Sequence, residues 1–226
     1  VPAKAHDTRK SPIDQRLVTG HFPLATAEDA NNAMAAAAKA APGWRNTPVA
    51  ERVRLLKKVA RLIEERLFHI SAALTLEVGK NRMEALGEVQ ETADFFDLYA
   101  EDMEKHNGFL NPLPDDPLAD YRSHNKSVMK PHGVWVVIAP YNFPFALAGG
   151  PVAAALVTGN TVVFKSASDT PWSGRLLADC IRDAGFPPGV FNWLNGSGSV
   201  VGETLVQHPK TAGITFTGSF DVGMKI

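Results

Sequence analysis

Two patterns of apolar and polar positions divide the chain. From Thr26 to Lys105 apolar residues recur every three or four positions. From Gly133 onward they come in short unbroken runs parted by glycine, proline and polar turns. The first pattern predicts amphipathic helices, the second buried strands alternating with helices. Thr26-Ala27-Glu28-Asp29 is a capping-box-like start to an Ala-rich helix that runs to Ala41, where Pro42-Gly43 ends it. Thr47 and Pro48 suit the N-cap and first position of a second helix. Its residues Val53, Leu56, Ala60, Ile63, Leu67 and Ile70 form one buried stripe opposite Arg and Lys. A third helix is expected over about Ser71 to Val78, stopping at Gly79, and a fourth over about Arg82 to Lys105.

The polar stretches fall outside these helices. Residues 1–25 read as arm and loop. Asn107 to Pro117, with three prolines and an Asn-Gly, reads as loop, and Ala119 to Met129 as a weak, polar edge strand.

The second half centres on Pro131 to Lys165. The β-branched run Val134, Val136, Val137, Ile138 ends in Pro140, and the turn Tyr141-Asn142-Phe143-Pro144 follows. A small-residue helix from Phe145 to about Val157 leads to a second run, Thr161 to Phe164, which closes on Lys165. A helix (Pro171 to Ala184), a strand (Val190 to Leu194), a Gly-rich turn, a helix (Ser199 to Gln207), a strand (Gly213 to Thr217) and a helix start at Ser219 complete the alternation. The fold class is therefore α/β: a Rossmann-like doubly wound parallel sheet preceded by an N-terminal helical layer. The expected division is 1–118 for the arm and helices, 119–131 for a strand segment, and 132–226 for the sheet. Ile226 falls one turn into its helix, which leads us to expect a fragment.

Composition narrows the classes. The 226 residues are 45% hydrophobic, enough for a large core, and a formal net charge of −1 gives no reason to expect nucleic acid or an anionic membrane as partner. The longest apolar stretch, Phe143 to Val157, is broken by Pro144, Gly149, Gly150 and Pro151 and is too short to span a bilayer. There is no secretory h-region in the first residues, and one cysteine suits a reducing, cytoplasmic setting. The seven histidines never fall in a metal-ligand spacing, so no metal is expected.

Candidate chemistry sits at the strand ends. Asn142 is either a turn-former, the commoner reading, or an amide donor held rigidly for a developing oxyanion. Lys165 is either a solvated strand-end lysine or a contact for a diol or phosphate. Gly196-Ser197-Gly198-Ser199-Val200-Val201-Gly202 has one residue too many for the dinucleotide fingerprint, so a tight turn and a phosphate site are equally supported. Phe216-Thr217-Gly218-Ser219, followed by Gly223, is a second strand-to-helix turn suited to an anion. Cys180 lies on the apolar stripe with Leu176, Leu177 and Ile181 and reads as buried and inert. Glu77, Glu88 and Glu91 read as surface charges or caps.

Taken in order, PHGV…IAPYNFP (residues 131–144), TVVFK…TP, AGFPPGVFN and FTGSFDVG resemble the aldehyde dehydrogenase superfamily, as does Leu76-Glu77-Val78-Gly79-Lys80 upstream. The resemblance covers about Ala27 to the last residue. It implies the N-terminal, NAD- or NADP-binding half of that fold, a truncated part of it, with strands near Tyr121 to Pro131 in an oligomerisation element. Asn142 then resembles the oxyanion-hole asparagine and Lys165 the adenosine-ribose contact. Ser219 resembles the pyrophosphate-contacting serine, and Gly198, Gly202, Gly218 and Gly223 the cofactor-side glycines. Ile138, Ala139, Pro140 and Tyr141 would line the nicotinamide half of the cleft. In this family a cysteine attacks the aldehyde to give a thiohemiacetal, hydride passes to the nicotinamide, and a glutamate activates water. Both residues lie beyond FTGS in family members, so this chain is expected to lack nucleophile and base. Two departures stand out: Ser166 replaces the usual Pro after the lysine, and Ser168 replaces a Glu that would repel a 2′-phosphate. Ser168 therefore weakens strict NAD preference. Residues 84–99 and GFPPGVFNWLNGSGSVVG most resemble the pyrroline-5-carboxylate (glutamate semialdehyde) dehydrogenases. The expected protein oxidises a small aldehyde as a homo-oligomer, dimer or tetramer; a nucleotide-binding module without catalysis is the alternative.

Overall fold

The computed structural model describes residues 6–118, 120 and 122–226. The start of the arm, Ala119 and Tyr121 lie outside the described residues, and with them part of the expected strand segment.

The first departure from expectation is at the start. Residues 1–25 are not simply arm and loop: β1 (His6–Lys10) and β2 (Val18–Pro23) pair antiparallel, Thr8 opposite His21. Four helices follow: α1 (Ala27–Arg45), α2 (Val49–Glu65), α3 (Leu67–Val78) and α4 (Arg82–Lys105). The capping box at Thr26 forms as expected, with the Thr26 side chain accepting from the Asp29 amide while the Asp29 carboxylate accepts from the Thr26 amide. Pro42 does not end α1, which continues three residues to Arg45. That extra turn buries Trp44 and lets its Nε1 donate to the Leu156 carbonyl at 3.0 Å, a tertiary gain that outweighs the proline. Nor is Thr47 the cap of α2. Its hydroxyl bonds back to Gly43 O, and Pro48 takes the N-cap place without a side-chain bond. The second stripe is split: α2 stops at Glu65, Arg66 turns the chain, and Leu67 and Ile70 belong to α3. Gly79, at φ +83°, ends α3 in the left-handed conformation that favours glycine. The α4 bounds agree with the expected ones, with Asn81 as N-cap.

Part of the stretch from Asn107 expected to be loop is a strand. β3 (Leu110–Pro112) pairs antiparallel with β4 (Lys126–Val128), and all six residues of this hairpin are exposed.

The sheet then forms as the alternation requires: β5 (Val134–Ile138), α5 (Ala146–Val157), β6 (Thr161–Lys165), α6 (Pro171–Ala184), β7 (Phe191–Leu194), α7 (Glu203–Gln207), β8 (Thr211–Phe216) and the single turn α8 (Phe220–Gly223). Its four strands are parallel in the order β7-β6-β5-β8. The order reverses between β5 and β8, so a switch point opens at their C-terminal ends. Both faces are covered. Val134, Val136 and Val163 pack with Ala30, Met34, Ala37, Val201 and Leu205 from α1, the turn before α7, and α7. Val137, Val162 and Phe164 pack on the other face with α2, α4, α5 and α6. One core thus joins the helical layer to the sheet. Among the described residues no helix is long and apolar enough to cross a membrane.

Candidate active site at the carboxyl edge of the sheet

Register sets the strand ends level. Ile138 lies beside Lys165 on one side and Phe216 on the other, and Lys165 lies beside Leu194. Backbone bonds continue this past the strands, from Ala139 N to Lys165 O (3.3 Å) and from Thr217 N to Ile138 O (3.1 Å). Ile138, Ala139, Lys165 and the Thr217-Gly218-Ser219 turn therefore share one edge. Ile138 and Pro140 are half-buried, Ala139 buried and Tyr141 exposed.

Lys165 is not a solvated lysine. It is 5% exposed, and burial holds its ammonium below the usual lysine range. Its Nζ donates to the Ser166 carbonyl at 3.1 Å, leaving two of its three donors for another group. Gly202 lies against it, since a Cβ there would stand 3.8 Å from Lys165 Cε. The Gly-rich turn is thereby brought to the same edge. From Gly198 to Gly202 the backbone makes a π-helical turn, with Gly202 N bonded to Ser197 O (3.3 Å) and Val200 N to the Ser197 hydroxyl (3.2 Å). This wide turn takes up the residue in excess of the fingerprint spacing. Gly198 faces open space, and Ser168 donates to the Gly196 carbonyl at 3.2 Å. At the second turn Ser219 caps α8, accepting from Val222 N (3.4 Å), which leaves its O–H proton free to donate. Gly218 and Gly223 have a reason within the chain, because a Cβ at either would press on the Phe216 ring.

Asn142 projects from an exposed stretch, Tyr141-Asn142-Phe143, and among the described residues its amide has no hydrogen-bond partner. It lines a cleft of about 750 Å³ with Arg9, Lys10, Lys80, Glu84, Phe143 and Asp169 among the other walls. Lys165, Gly202 and Ser219 are not among the residues that line that cleft. Cys180 is fully buried, 3.7 Å from the Arg66 guanidinium, and burial pushes its thiol up to about 11. Its thiolate population near neutrality is negligible.

Of the two readings, surface charge or cap, Glu77 and Glu88 take the second. Glu77, on α3, is 6% exposed and accepts from Trp172 N (2.7 Å), Ser173 N (2.8 Å) and the Ser173 hydroxyl, capping α6 from another helix. Burial nonetheless pushes its carboxyl above the usual range, outweighing those donors. Glu88, on α4, is 2% exposed and caps α5. Their position was signalled in the sequence: each lies on its helix's apolar stripe, Glu77 with Ile70, Ala73 and Leu74, Glu88 with Ala85, Val89 and Phe96. Glu91 is exposed, as read. The β1–β2 hairpin brings Arg9 to Asp169 (2.6 Å) at the cleft, a contact without a periodic signal.

Comparison with known proteins agrees with this fold. The chain is 41% identical over 217 residues to the 1-pyrroline-5-carboxylate dehydrogenase 2 of Bacillus subtilis (strain 168), a match covering 96% of this chain and 41% of that protein. Among solved structures, 1-pyrroline-5-carboxylate dehydrogenase from Thermus with bound NAD aligns with a TM-score of 0.90 and 38% identity, covering 100% of this chain and 43% of that one. The NADP-dependent glyceraldehyde-3-phosphate dehydrogenase from Bacillus halodurans C-125, complexed with NADP, aligns with a TM-score of 0.90 and 35% identity, covering 98% and 46%. The chain thus spans about two fifths of the length of the curated relatives it matches. The profile of the aldehyde dehydrogenase family matches residues 4–226, and the chain belongs to that family.

Proposed function

We propose that these residues form the cofactor-binding part of an NAD(P)-dependent aldehyde dehydrogenase, which oxidises glutamate semialdehyde to the carboxylate. The observation that carries this reading is Lys165: a desolvated ammonium with two spare donors, beside Gly202, at the edge flanking the switch point. That donor set fits a ribose diol, and the open Gly198 leaves room for a phosphate to approach the backbone. When bound, the nicotinamide cofactor supplies the hydride acceptor. In this reading Lys165 donates to ribose hydroxyls and the Ser219 hydroxyl donates to the pyrophosphate. Gly198, Gly202, Gly218 and Gly223 keep the cofactor side free of Cβ atoms, and Ile138, Ala139, Pro140 and Tyr141 line the nicotinamide half. Ser168 carries no charge to repel a 2′-phosphate, so both NAD and NADP are admitted.

Asn142 is assigned the oxyanion donor, its unpartnered amide meeting the aldehyde oxygen as charge develops there; the aldehyde enters through the cleft that Asn142 lines. The attacking thiolate and the base that activates water are assigned to residues outside this chain, because Cys180 is unfit for attack. The 1-pyrroline-5-carboxylate dehydrogenases among the relatives support the choice of glutamate semialdehyde. The exposed β3–β4 hairpin supports self-association as a dimer or tetramer, and the cytoplasm is the proposed setting.

The test is formation of reduced nicotinamide by the full-length protein, supplied with glutamate semialdehyde and NAD or NADP. Turnover dependent on both reactants is expected. Cofactor binding without oxidation of that or any related aldehyde would instead favour a nucleotide-binding module.

A further inference from the structure

The helical layer grips the Asn142 turn on the side of the turn toward α5. Lys80, the residue after Gly79, extends its Nζ to 3.2 Å from the centroid of the Phe143 ring and 2.7 Å from Glu88 Oε2. Both atoms are buried, and the contact between them is an ion pair. The other oxygen of that carboxylate, Oε1, accepts from Phe145 N (2.8 Å) and Ala146 N (3.2 Å), the amides that open α5. One buried ion pair therefore holds the residue directly after Asn142 by its ring and the next turn by its backbone.

The pair works in a dry setting. Lys80 is 8% and Glu88 2% exposed, so solvent screening of the kind that makes surface pairs nearly worthless is absent. A methyl on Gly149 would overlap the Thr92 side chain; this glycine lets α5 lie close enough to α4 for Glu88 to reach it. The far end of α5 is fixed by the same layer: Arg52 Nε donates to Val157 O at 2.8 Å and Trp44 to Leu156 O. Glutamate stands at the N-terminus of α5 and arginine at its C-terminus, as the helix dipole favours.

We propose that Lys80 and Glu88 are positioning residues, fixing the Asn142 amide through Phe143 and the first turn of α5. The inference rests on the proposed role of Asn142. A donor displaced by about 1 Å loses on the order of a hundredfold in rate. Tyr141 shares this turn, but Lys165, Gly202 and Ser219 belong to other elements, so cofactor affinity should fall far less than kcat.

The experiment measures amide hydrogen exchange at Phe145 and Ala146, together with steady-state kinetics, in the full-length protein. Lys80→Met, Lys80→Arg and Phe143→Leu are compared with the parent. Lys80→Met leaves the Glu88 carboxylate buried without its partner and carries a risk of misfolding. Phe143→Leu keeps the pair and removes only the half-exposed ring, so it decides the matter if Lys80→Met does not fold. Expected are exchange at least about tenfold faster at these two amides in Lys80→Met and Phe143→Leu, kcat lowered with little change in KM or cofactor Kd, and rescue by Lys80→Arg. Unchanged exchange and kcat in Phe143→Leu would overturn the inference. Faster exchange in a protein whose parent oxidises no aldehyde would leave the positioning intact and sink the proposed function instead.

Discussion

Removing the Glu77 carboxylate should loosen the joint between the helical layer and the sheet. In Glu77→Ala the amides of Trp172 and Ser173, and the Ser173 hydroxyl, lose their shared acceptor in a buried place. Each orphaned buried donor costs about 1–3 kcal/mol, and loss of an N-cap alone costs about 1 kcal/mol. Against this stands relief of the carboxylate's desolvation, which its raised pKa reveals. A net loss of about 2–3 kcal/mol follows, or about 4–12 °C in Tm for a chain of this size. Urea denaturation followed by tryptophan fluorescence reads it, with Trp172 at the joint itself. A change within about 0.5 kcal/mol, as for an exposed carboxylate, would refute the reasoning. The pH dependence has a definite sign. Folded Glu77 keeps its proton to higher pH than the unfolded side chain, which titrates near 4.3. The stability tied to its protonated form is complete below that value and is lost as pH rises through the folded pKa; Glu77→Gln should remove this slope.

Other substitutions probe separate parts of the account. Cys180 should resist thiol reagents at pH 8 in the folded protein and react fully in denaturant; rapid labelling of the native state would contradict its burial. Gly149→Ala should lower the free energy of unfolding by about 1–3 kcal/mol through overlap with Thr92, measured by the same denaturation. Ser168→Glu should weaken NADP relative to NAD by about tenfold in calorimetry, because the added carboxylate repels a 2′-phosphate; equal weakening of both would place Ser168 away from the ribose.

The parts of the fold that were legible share a local cause. The α4 bounds followed from the periodicity of its apolar positions, and the β5-to-β6 unit from β-branched runs that alternate between two buried faces. What escaped was decided by tertiary contact. Pro42 marks an end in isolation, yet burial of Trp44 carries α1 past it. Arg66 breaks the second stripe with no glycine or proline to announce it. The β1–β2 pairing joins a polar strand, His6–Lys10, to a partner whose apolar positions are too few to announce it. At the candidate site, Asn142 and Lys165 were visible because strand ends are visible. Glu77, Lys80 and Glu88 act across elements, and only the carboxylates' place on apolar stripes hinted at it.

The central claim is that the edge holding Lys165, Gly202 and Ser219 binds a nicotinamide dinucleotide. Calorimetric titration of the purified chain with NAD and NADP, beside Lys165→Met, tests it most directly. Saturable binding of either dinucleotide is predicted, weakened at least about tenfold in a variant whose Tm is unchanged. Binding that Lys165→Met leaves untouched, or no binding by a folded parent chain, would contradict the account.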